Sequence, residues 1–338
     1  MIKNVKIQNF RRHKEFKADL KDESIIITGA NGSGKTSIIE AIYIALNGRS
    51  WRSGFQEILR EENDSTSSWW RVDIKLSDGE SRTIKFVDNQ KVFEINNQKF
   101  TRLPARHKKP VILFEPNDLQ LLYGSPARRR DFFDRFITQI ETSHQASLNK
   151  FSRILKQRNN LLKKGALANE LFVWDMQFAE LAEKIIMTRE NWINKINKEI
   201  TVEYQSISTK LDGVSVKYST PQKSKQQILN QLSVDYSSNC TVTKIGPQTH
   251  DVKLKINNHN AKLTASRGES RTIIFAILAT MTKLLNQELS EKVYLVFDDI
   301  DSELDFERKA GVYKSQAFKE NYLFATTIES TDSAINLK

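Results

Sequence analysis

The chain has 338 residues, of which 39% are hydrophobic and 28% charged, as is typical of a soluble globular protein. Lysine and arginine total 52 against 41 acidic residues, and the net charge of +11 favours an anionic partner such as nucleic acid. A cationic surface without such a partner is the alternative. Cys240 is the single cysteine, which excludes an internal disulfide and a cysteine-based zinc cluster.

The sequence also lacks the apolar segments that membrane proteins carry. It contains no run of about 20 apolar residues, which excludes a spanning helix, and residues 1–16 have no continuous apolar core of a signal peptide. We therefore expect a cytoplasmic protein with no membrane partner.

The first elements are two strands, a glycine-rich loop and a helix. Residues 2–10 alternate in polarity and residues 25–28 (IIIT) are apolar and β-branched, so both are predicted strands. The loop GANGSGKTS follows directly at 29–37. Apolar residues then recur at helical spacing until Gly48, which predicts a helix that ends there.

The middle of the chain changes from strand to helix patterns. Residues 69–100 predict an antiparallel meander with turns at 78–79 and 88–89, and residues 111–116 predict a buried strand. Apolar residues in 128–208 follow helical spacing, which predicts two or three long helices with a hairpin near Gly165. We interpret their apolar stripes as core packing.

The last third returns to mixed patterns. Residues 219–240 are polar and predict a surface loop or a weak helix. The elements predicted after them are strands near 241–245 and 252–256, a helix at 268–287, a strand at 293–297, a helix near 305–318 and a strand at 323–327. The fold class is therefore α/β: a discontinuous ATPase lobe (1–115 and 241–338) with a mixed sheet and flanking helices, and an inserted helical lobe (116–240).

The loop at 29–37 matches the phosphate-binding pattern G-x-x-x-x-G-K-[ST]. Its glycines let backbone N–H groups surround phosphates at a helix N-terminus. Lys35 is expected to reach the β- and γ-phosphate oxygens, and the Thr36 hydroxyl to bind Mg²⁺. The predicted ligand is ATP with Mg²⁺, and the predicted loop contacts are Gly29, Ala30, Asn31, Gly32, Ser33, Gly34, Lys35, Thr36 and Ser37.

A second motif, YLVFDDIDSELD at 294–305, places two carboxylates at the end of an apolar strand. Asp298 is expected to hold Mg²⁺ opposite Thr36, as in a Walker B motif. Asp299 is the candidate that orients or deprotonates the attacking water. The alternative is an acidic loop that caps the next helix.

The third motif is TASRGESR at 264–271, directly before a predicted helix. Ser266 and Gly268 at the helix start predict a second anion-binding terminus, suited to a γ-phosphate. Since the phosphate-binding loop already holds one nucleotide, we expect this terminus to complete the site of another subunit.

Together with SELD at 302–305, these motifs resemble the head of ABC-type ATPases. Four further segments, NFRRH (9–13), GRSWRS (48–53), VILFEPNDLQLLYGSPARRRDFFD (111–134) and IGPQTHDVKL (245–254), resemble the RecF family of recombinational repair ATPases, which is related to the SMC proteins. The resemblance extends over residues 2–328. It implies ATP-dependent head-to-tail dimerisation, binding to double-stranded, gapped or junction DNA, slow hydrolysis, and cooperation with RecO and RecR in recombinase loading.

The resemblance also implies roles for particular residues. Arg11 would approach the phosphates in its own subunit. The signature residues that reach the partner's γ-phosphate would be Ser266, Arg267, Gly268 and Glu269, and the D-loop residues near the dimer seam would be Ser302 and Asp305. The family usually has glutamines where this chain has Arg267 and Glu269, and histidine and arginine after Pro247, where this chain has Gln248 and Thr249.

Two basic groups are candidates for contacts with the DNA backbone: Arg128, Arg129 and Arg130, and the group Arg102, Arg106, Lys108 and Lys109. A solvated face is the alternative for both groups, and for 128–130 an ion-pair network with Asp131 and Asp134 is another.

Two other functions share these motifs. One is the nucleotide-binding subunit of a transporter, and the other is a scaffold that binds ATP and hardly cleaves it. Asp299, at a position where transporter-type heads carry glutamate, keeps the scaffold hypothesis open.

Overall fold

The computed structural model describes residues 1–62, 65–66, 68–208, 210–235, 240–300, 306–328 and 334–337. The strands in this part of the chain are β1 (Ile2–Phe10), β2 (His13–Asp19), β3 (Ser24–Gly29), β4 (Glu61–Glu62), β5 (Ser65–Thr66), β6 (Trp69–Leu76), β7 (Ser81–Val87), β8 (Gln90–Ile95), β9 (Gln98–Phe100), β10 (Val111–Phe114), β11 (Val214–Ser219), β12 (Asp251–Ile256), β13 (His259–Asn260), β14 (Tyr294–Phe297), β15 (Tyr322–Thr327) and β16 (Ile335–Leu337). The helices are α1 (Lys35–Asn47), α2 (Gln120–Tyr123), α3 (Pro126–Ile140), α4 (Thr142–Lys163), α5 (Ala168–Ile207), α6 (Lys225–Asp235), α7 (Ala261–Thr264), α8 (Arg267–Leu289), α9 (Phe306–Lys314) and α10 (Gln316–Lys319).

The chain divides into two compact units. The first comprises Met1–Asp118 and Leu285–Lys338, and the second comprises Leu119–Leu284. The second division falls within α8.

A five-stranded parallel sheet forms the centre of the first unit, in the order β10-β14-β15-β3-β16. Four of its strands are short apolar runs buried on both faces, as parallel strands usually are. Strands from both ends of the sequence pair directly, with Ala325 opposite Ile26. The sheet therefore brings the carboxyl end of β3, where the glycine-rich loop starts, into register with those of β14 and β15.

The predicted antiparallel meander belongs to a six-stranded sheet in the order β2-β1-β6-β7-β8-β9. Asp88 and Asn89 form the two-residue turn between β7 and β8, both with positive φ angles, as a hairpin turn of this length requires. Helix α1 contacts strands of both sheets, and its residues Ile38 to Leu46 are almost entirely buried. Gly48 ends α1 in the left-handed conformation, which confirms the predicted helix end.

Long helices dominate the second unit. Gly165, with φ of 70°, turns the chain between α4 and α5, so the predicted hairpin is confirmed. Phe151 packs against Phe178 in the hairpin core. Arg158 and Asp175 form a buried ion pair across it at 2.6 Å.

Two features of the second unit differ from the sequence-based expectation. Residues 241–245 form no strand, because the Thr243 N–H donates to the Asn159 side chain at 2.9 Å instead of to a neighbouring strand. The structure instead has β11, which was not predicted and which pairs antiparallel with β12 from Val214 to Ser219.

The division between units also lies elsewhere than expected. The first break falls after Asp118, close to the expected 115, but residues 241–284 belong to the second unit although they were assigned to the ATPase lobe. Pairing of β12 with β11, and the contacts of α7 with α2 and β12, account for this assignment.

Candidate nucleotide-binding site and signature helix

The glycine-rich loop connects β3 to α1 as the pattern predicts. Gly34 precedes α1 with φ of 99°, and a Cβ atom there would lie 2.4 Å from His13 Nε2, so this position requires glycine. No side chain caps the start of α1. The first N–H groups of a helix have no acceptor within the helix, so they can bind an anion here.

The loop side chains add further donors. The Lys35 ammonium donates to the carbonyl oxygens of Gly29 at 2.7 Å and Ala30 at 2.9 Å, which leaves a third N–H for a phosphate oxygen. The Ser33 hydroxyl is buried and has no hydrogen-bond partner among the described residues. A buried hydroxyl without a partner is unfavourable, and a phosphate oxygen at this loop would satisfy it.

The Walker B carboxylate lies next to the loop. Asp298 follows β14, and its Oδ1 accepts hydrogen bonds from the Thr36 hydroxyl at 2.8 Å and the Thr326 hydroxyl at 2.8 Å. Burial raises the pKa of Asp298, while the two hydroxyl donors act to lower it. A partly buried carboxylate beside a hydroxyl is a hard oxygen donor set that suits Mg²⁺, so these residues fit the metal that the motifs imply.

Asp299 adopts a left-handed backbone conformation with φ of 51°. Its N–H donates to the Thr326 hydroxyl at 2.7 Å, so Thr326 contacts both consecutive aspartates. Such backbone conformations at non-glycine residues cluster at functional sites. The sequence analysis did not identify Thr326. Its position at the end of β15, the strand next to β14, is the feature that could have indicated a contact with the two aspartates.

Arg11, for which the resemblance implies a phosphate contact, is bound by groups of the protein itself. Its guanidinium donates to the buried Glu40 carboxylate at 2.8 and 3.1 Å, to Ser53 Oγ at 2.6 Å and to the Glu57 carbonyl oxygen at 2.9 Å. Ser50 donates to the same carboxylate at 2.6 Å. Ser50 and Ser53 of the segment GRSWRS thus hold the Arg11–Glu40 pair in place.

The neighbouring residues Arg12 and His13 contact the glycine-rich loop instead. Arg12 donates to the Gly32 carbonyl oxygen, and His13 Nε2 lies 3.0 Å from the Gly34 carbonyl oxygen, to which it can donate. A cation and an imidazole therefore lie at the loop. Sequence analysis missed both, although they directly follow Arg11 in NFRRH.

The signature segment starts a helix, as expected. Ser266 precedes α8; its Oγ accepts from the Glu269 N–H at 3.3 Å, and the Glu269 carboxylate accepts from the Ser266 N–H at 2.8 Å. This reciprocal arrangement is a capping box. The Lys210 ammonium, 2.6 Å from Glu269 Oε1, and the Ser266 N–H lower the pKa of Glu269 to about 2. Arg267 is exposed.

The signature residues lie in the second unit and the glycine-rich loop in the first. The predicted D-loop residues Ser302 and Asp305 lie outside the described residues.

The prediction that Arg129 contacts DNA is wrong. Its side chain is buried and pairs with both oxygens of Asp251 at 2.8 and 3.0 Å, and it donates to the Gly124 carbonyl oxygen at 2.8 Å. Arg130 donates to the His250 carbonyl oxygen. The ion-pair alternative describes Arg129 better, although its partner is Asp251 and not Asp131 or Asp134. DNA contacts of Arg128 and Arg130 stay predictions.

The second basic group remains a candidate. Burial and the neighbouring cations Arg49 and Arg102 lower the pKa of Lys108. Lys109 pairs with Glu291 at 3.4 Å. Lys108 therefore lies close enough to Arg49 and to Arg102 for both to repel it, and a bound anion would relieve this repulsion.

No helix within the described ranges is long and apolar enough to span a membrane. The same ranges hold no group of three or more histidine, cysteine, aspartate or glutamate side chains arranged to bind a metal.

Comparisons with known proteins agree with the motifs. A family model for an AAA ATPase domain matches residues 1–311. The chain is 29% identical over 360 residues to the DNA replication and repair protein RecF of Natranaerobius thermophilus, covering 98% of this chain and 92% of that protein. It is 31% identical over 343 residues to RecF of Streptococcus agalactiae serotype V, covering 97% and 92%.

The fold is also that of solved structures. The recombination mediator protein RecF of the RecFOR pathway, solved with ATPrS, superimposes with a TM-score of 0.83 at 24% identity, covering 99% of this chain and 94% of that one. Sequence, motifs and fold thus agree over nearly the whole chain. The chain contains an AAA ATPase domain and belongs to the family of the DNA replication and repair protein RecF.

Proposed function

We propose that this protein is an ATP-driven switch of recombinational DNA repair. Two copies associate head to tail when ATP is bound, the dimer holds gapped or junction DNA, and slow hydrolysis releases it. Support comes from the relatives named for DNA replication and repair, and from the likeness to a protein of the RecFOR pathway. By the same likeness, RecO and RecR are its proposed partners.

The observation that carries this proposal is the hydrogen bond between Thr36 and Asp298, at 2.8 Å. It joins the phosphate-binding loop to a carboxylate 262 positions later in the chain, as an ATP and Mg²⁺ site requires. Mg²⁺ held by these two oxygens would neutralise charge on the β- and γ-phosphates. Lys35, Ser33 and the first N–H groups of α1 hold the phosphates in position, with Gly29 to Ser37 as the binding loop.

Arg12 and His13 are additional candidates for phosphate contacts, because they already contact carbonyl groups of the loop. Arg11 acts through Glu40, which it shares with Ser50 and Arg52, and so fixes the start of the β1–β2 turn against α1. We therefore assign Arg11 a positioning role.

For hydrolysis, Asp299 is the group that orients or deprotonates the attacking water. Thr326 holds its backbone, and also holds the carboxylate of Asp298. Both aspartates are thus fixed relative to Thr36. Asp299 is shorter than the glutamate that transporter-type heads carry at this position. A shorter side chain at the position of the base is consistent with slow turnover and a switching role.

The second half of the site is the signature of another copy. Ser266, Arg267, Gly268 and Glu269 are proposed to meet the γ-phosphate there, with Ser302 and Asp305 near the seam. The Ser266 oxygen accepts the helix-capping bond, but its own hydrogen remains for a phosphate oxygen.

The experiment that tests dimerisation is light scattering with and without ATP and Mg²⁺. Wild type is expected to shift from monomer to dimer with ATP. Lys35→Ala should weaken ATP binding about tenfold or more, since hydrogen bonds to charged groups contribute roughly 1.5–3 kcal/mol, and should remain monomeric. Ser266→Arg should bind ATP normally and also remain monomeric. A wild-type monomer with and without ATP, in the presence of DNA, would overturn the proposal.

We assign the DNA backbone contacts to the basic group around Lys108. Replacing Arg102 and Lys108 by glutamine should weaken binding equally for all sequences, because phosphate contacts position DNA without reading it. The slope of log K against log salt should fall by about 0.9 for each DNA phosphate that the variant no longer neutralises. The exposed Lys75 of the same unit, replaced by glutamine, is the control. An unchanged salt slope in the double variant would show that Arg102 and Lys108 do not contact the DNA backbone.

A further inference from the structure

Two leucines next to the signature are unusually exposed. Leu211 is 89% and Leu263 79% exposed, the highest values among the large hydrophobic residues that the structure describes. Leu263 precedes Ser266 by three positions. Leu211 follows Lys210, whose ammonium contacts Glu269 within the same unit. Both segments therefore lie at the surface beside the start of α8.

The segment that carries Lys210 and Leu211 is held in place by hydrogen bonds on both sides. The Lys210 N–H donates to Ser208 Oγ at 3.1 Å. On the other side, Asn257 donates to the Asp212 carboxylate at 2.7 Å and accepts from the Gly213 N–H at 2.9 Å. This anchoring directs Lys210 to Glu269 and leaves Leu211 exposed.

The charge at the signature creates a specific difficulty. Glu269 is ionised at all physiological pH values, since its pKa is lowered to about 2. It bonds the N–H of Ser266, the residue that is proposed to meet a phosphate. A carboxylate at this point repels a triphosphate. Lys210 is the cation that contacts it, and Arg267 adds a second positive charge on the exposed side.

We propose that Lys210 and Leu211 belong to the surface on which the second copy docks. Lys210 offsets the charge of Glu269 so that the signature accepts the partner's triphosphate, and Leu211 with Leu263 provides apolar contact around it. The inference rests on the proposed function. A second copy of this chain is the occupant that fits, because it presents both a triphosphate and protein surface, whereas DNA offers phosphates without a comparable apolar contact.

The test is a double-mutant cycle on dimerisation. The dimer dissociation constant is measured by sedimentation with a non-hydrolysable ATP analogue and Mg²⁺ for wild type, Lys210→Ala, Glu269→Gln and the double variant. Lys210→Ala should weaken association about two- to twentyfold, because the uncompensated Glu269 carboxylate would then repel the partner's triphosphate at both symmetry-related sites of the dimer. The effect should be clearly smaller in the Glu269→Gln background, and Lys210→Arg should restore wild-type association.

Leu211→Ser tests the apolar contact, with Leu167→Ser as control. Leu167 is 68% exposed but lies at the α4–α5 turn, away in sequence from the signature. Leu211→Ser should weaken association and Leu167→Ser should not. Melting temperature and nucleotide affinity of the monomer should stay close to wild type in the Leu211→Ser and Leu167→Ser variants, which distinguishes docking from folding.

The outcomes separate the two proposals. If wild type forms no nucleotide-dependent dimer, the proposed function fails and this inference with it. If wild type dimerises but Lys210→Ala and Leu211→Ser associate as wild type does, this inference alone is overturned. An equal weakening by Lys210→Ala in both backgrounds would overturn the compensating role of Lys210.

Discussion

At the scale of single residues, Thr326 links Asp298 and Asp299, the two aspartates proposed to act in hydrolysis. Its hydroxyl donates to Asp298 at 2.8 Å and accepts from the Asp299 N–H at 2.7 Å, and the residue is 1% exposed. Since one hydroxyl has one hydrogen and two acceptor positions, both bonds can exist together. Thr326 is thus a positioning residue for the Asp298 carboxylate and for the backbone of Asp299.

Replacing Thr326 by valine, which has the same shape, tests this role. Thr326→Val removes both bonds and should lower kcat about tenfold, because a hydrogen bond to a charged group contributes roughly 1.5–3 kcal/mol. The KM for ATP should change little, since Lys35 and the loop are untouched. Steady-state kinetics measure both constants. Thr326→Ser should retain activity, and an unchanged kcat in the valine variant would contradict the assignment.

The residues of this site differ in how well sequence reveals them. Lys35, Thr36 and Asp298 stand in motifs with fixed spacing, so their proximity could be predicted. Arg12 and His13 were recognised only as part of the segment NFRRH, and Thr326 only as part of a strand. The pairing of β15 with β14 brings Thr326 to the two aspartates, which spacing in the sequence does not reveal. Arg129 was misassigned because its partner Asp251 lies 122 positions away, and charge in a sequence does not reveal burial.

At the scale of elements, Arg129 joins α3 to β12 through Asp251. Arg129→Ala should lower the free energy of unfolding by about 3 kcal/mol or more, because it leaves a partly buried carboxylate without its partner. Chemical denaturation measures this decrease. The DNA affinity of the folded fraction should not change.

A control for this pair is the replacement of both partners. Arg129→Met with Asp251→Leu removes both charges together and should recover most of the missing stability. If Arg129→Ala instead weakened DNA binding without destabilising the protein, the original DNA-binding assignment would be correct after all.

Periodicity predicted the elements with local patterns and failed where pairing is distant. The strand–loop–helix unit, the meander and the α4–α5 hairpin follow from spacing and turn residues. Strand β11 was not predicted because polar residues surround its few apolar ones, and because its partner β12 lies far away in the sequence. Because of this pairing, residues 241–284 belong to the second unit and not to the ATPase lobe to which the sequence analysis assigned them.

At the scale of the whole molecule, the chain carries two edges proposed to bind phosphate, and they lie in different units. The loop edge has Lys35, Ser33, Thr36 and Asp298. The signature edge has Ser266 and Arg267, with Glu269 offset by Lys210. A net charge of +11 adds a general attraction for DNA. Under the proposed function, one ATP bound between the edges of two copies would couple nucleotide binding, dimerisation and DNA binding.

The most direct test of this coupling measures DNA affinity and dimerisation in the same samples. The dissociation constant for gapped DNA is determined with and without ATP and Mg²⁺, and the dimer constant with and without that DNA. Because coupling free energies are reciprocal, ATP-driven dimerisation on DNA predicts that DNA tightens the ATP-bound dimer by the same factor by which dimerisation tightens DNA binding. Equal DNA affinity with and without ATP would contradict the account.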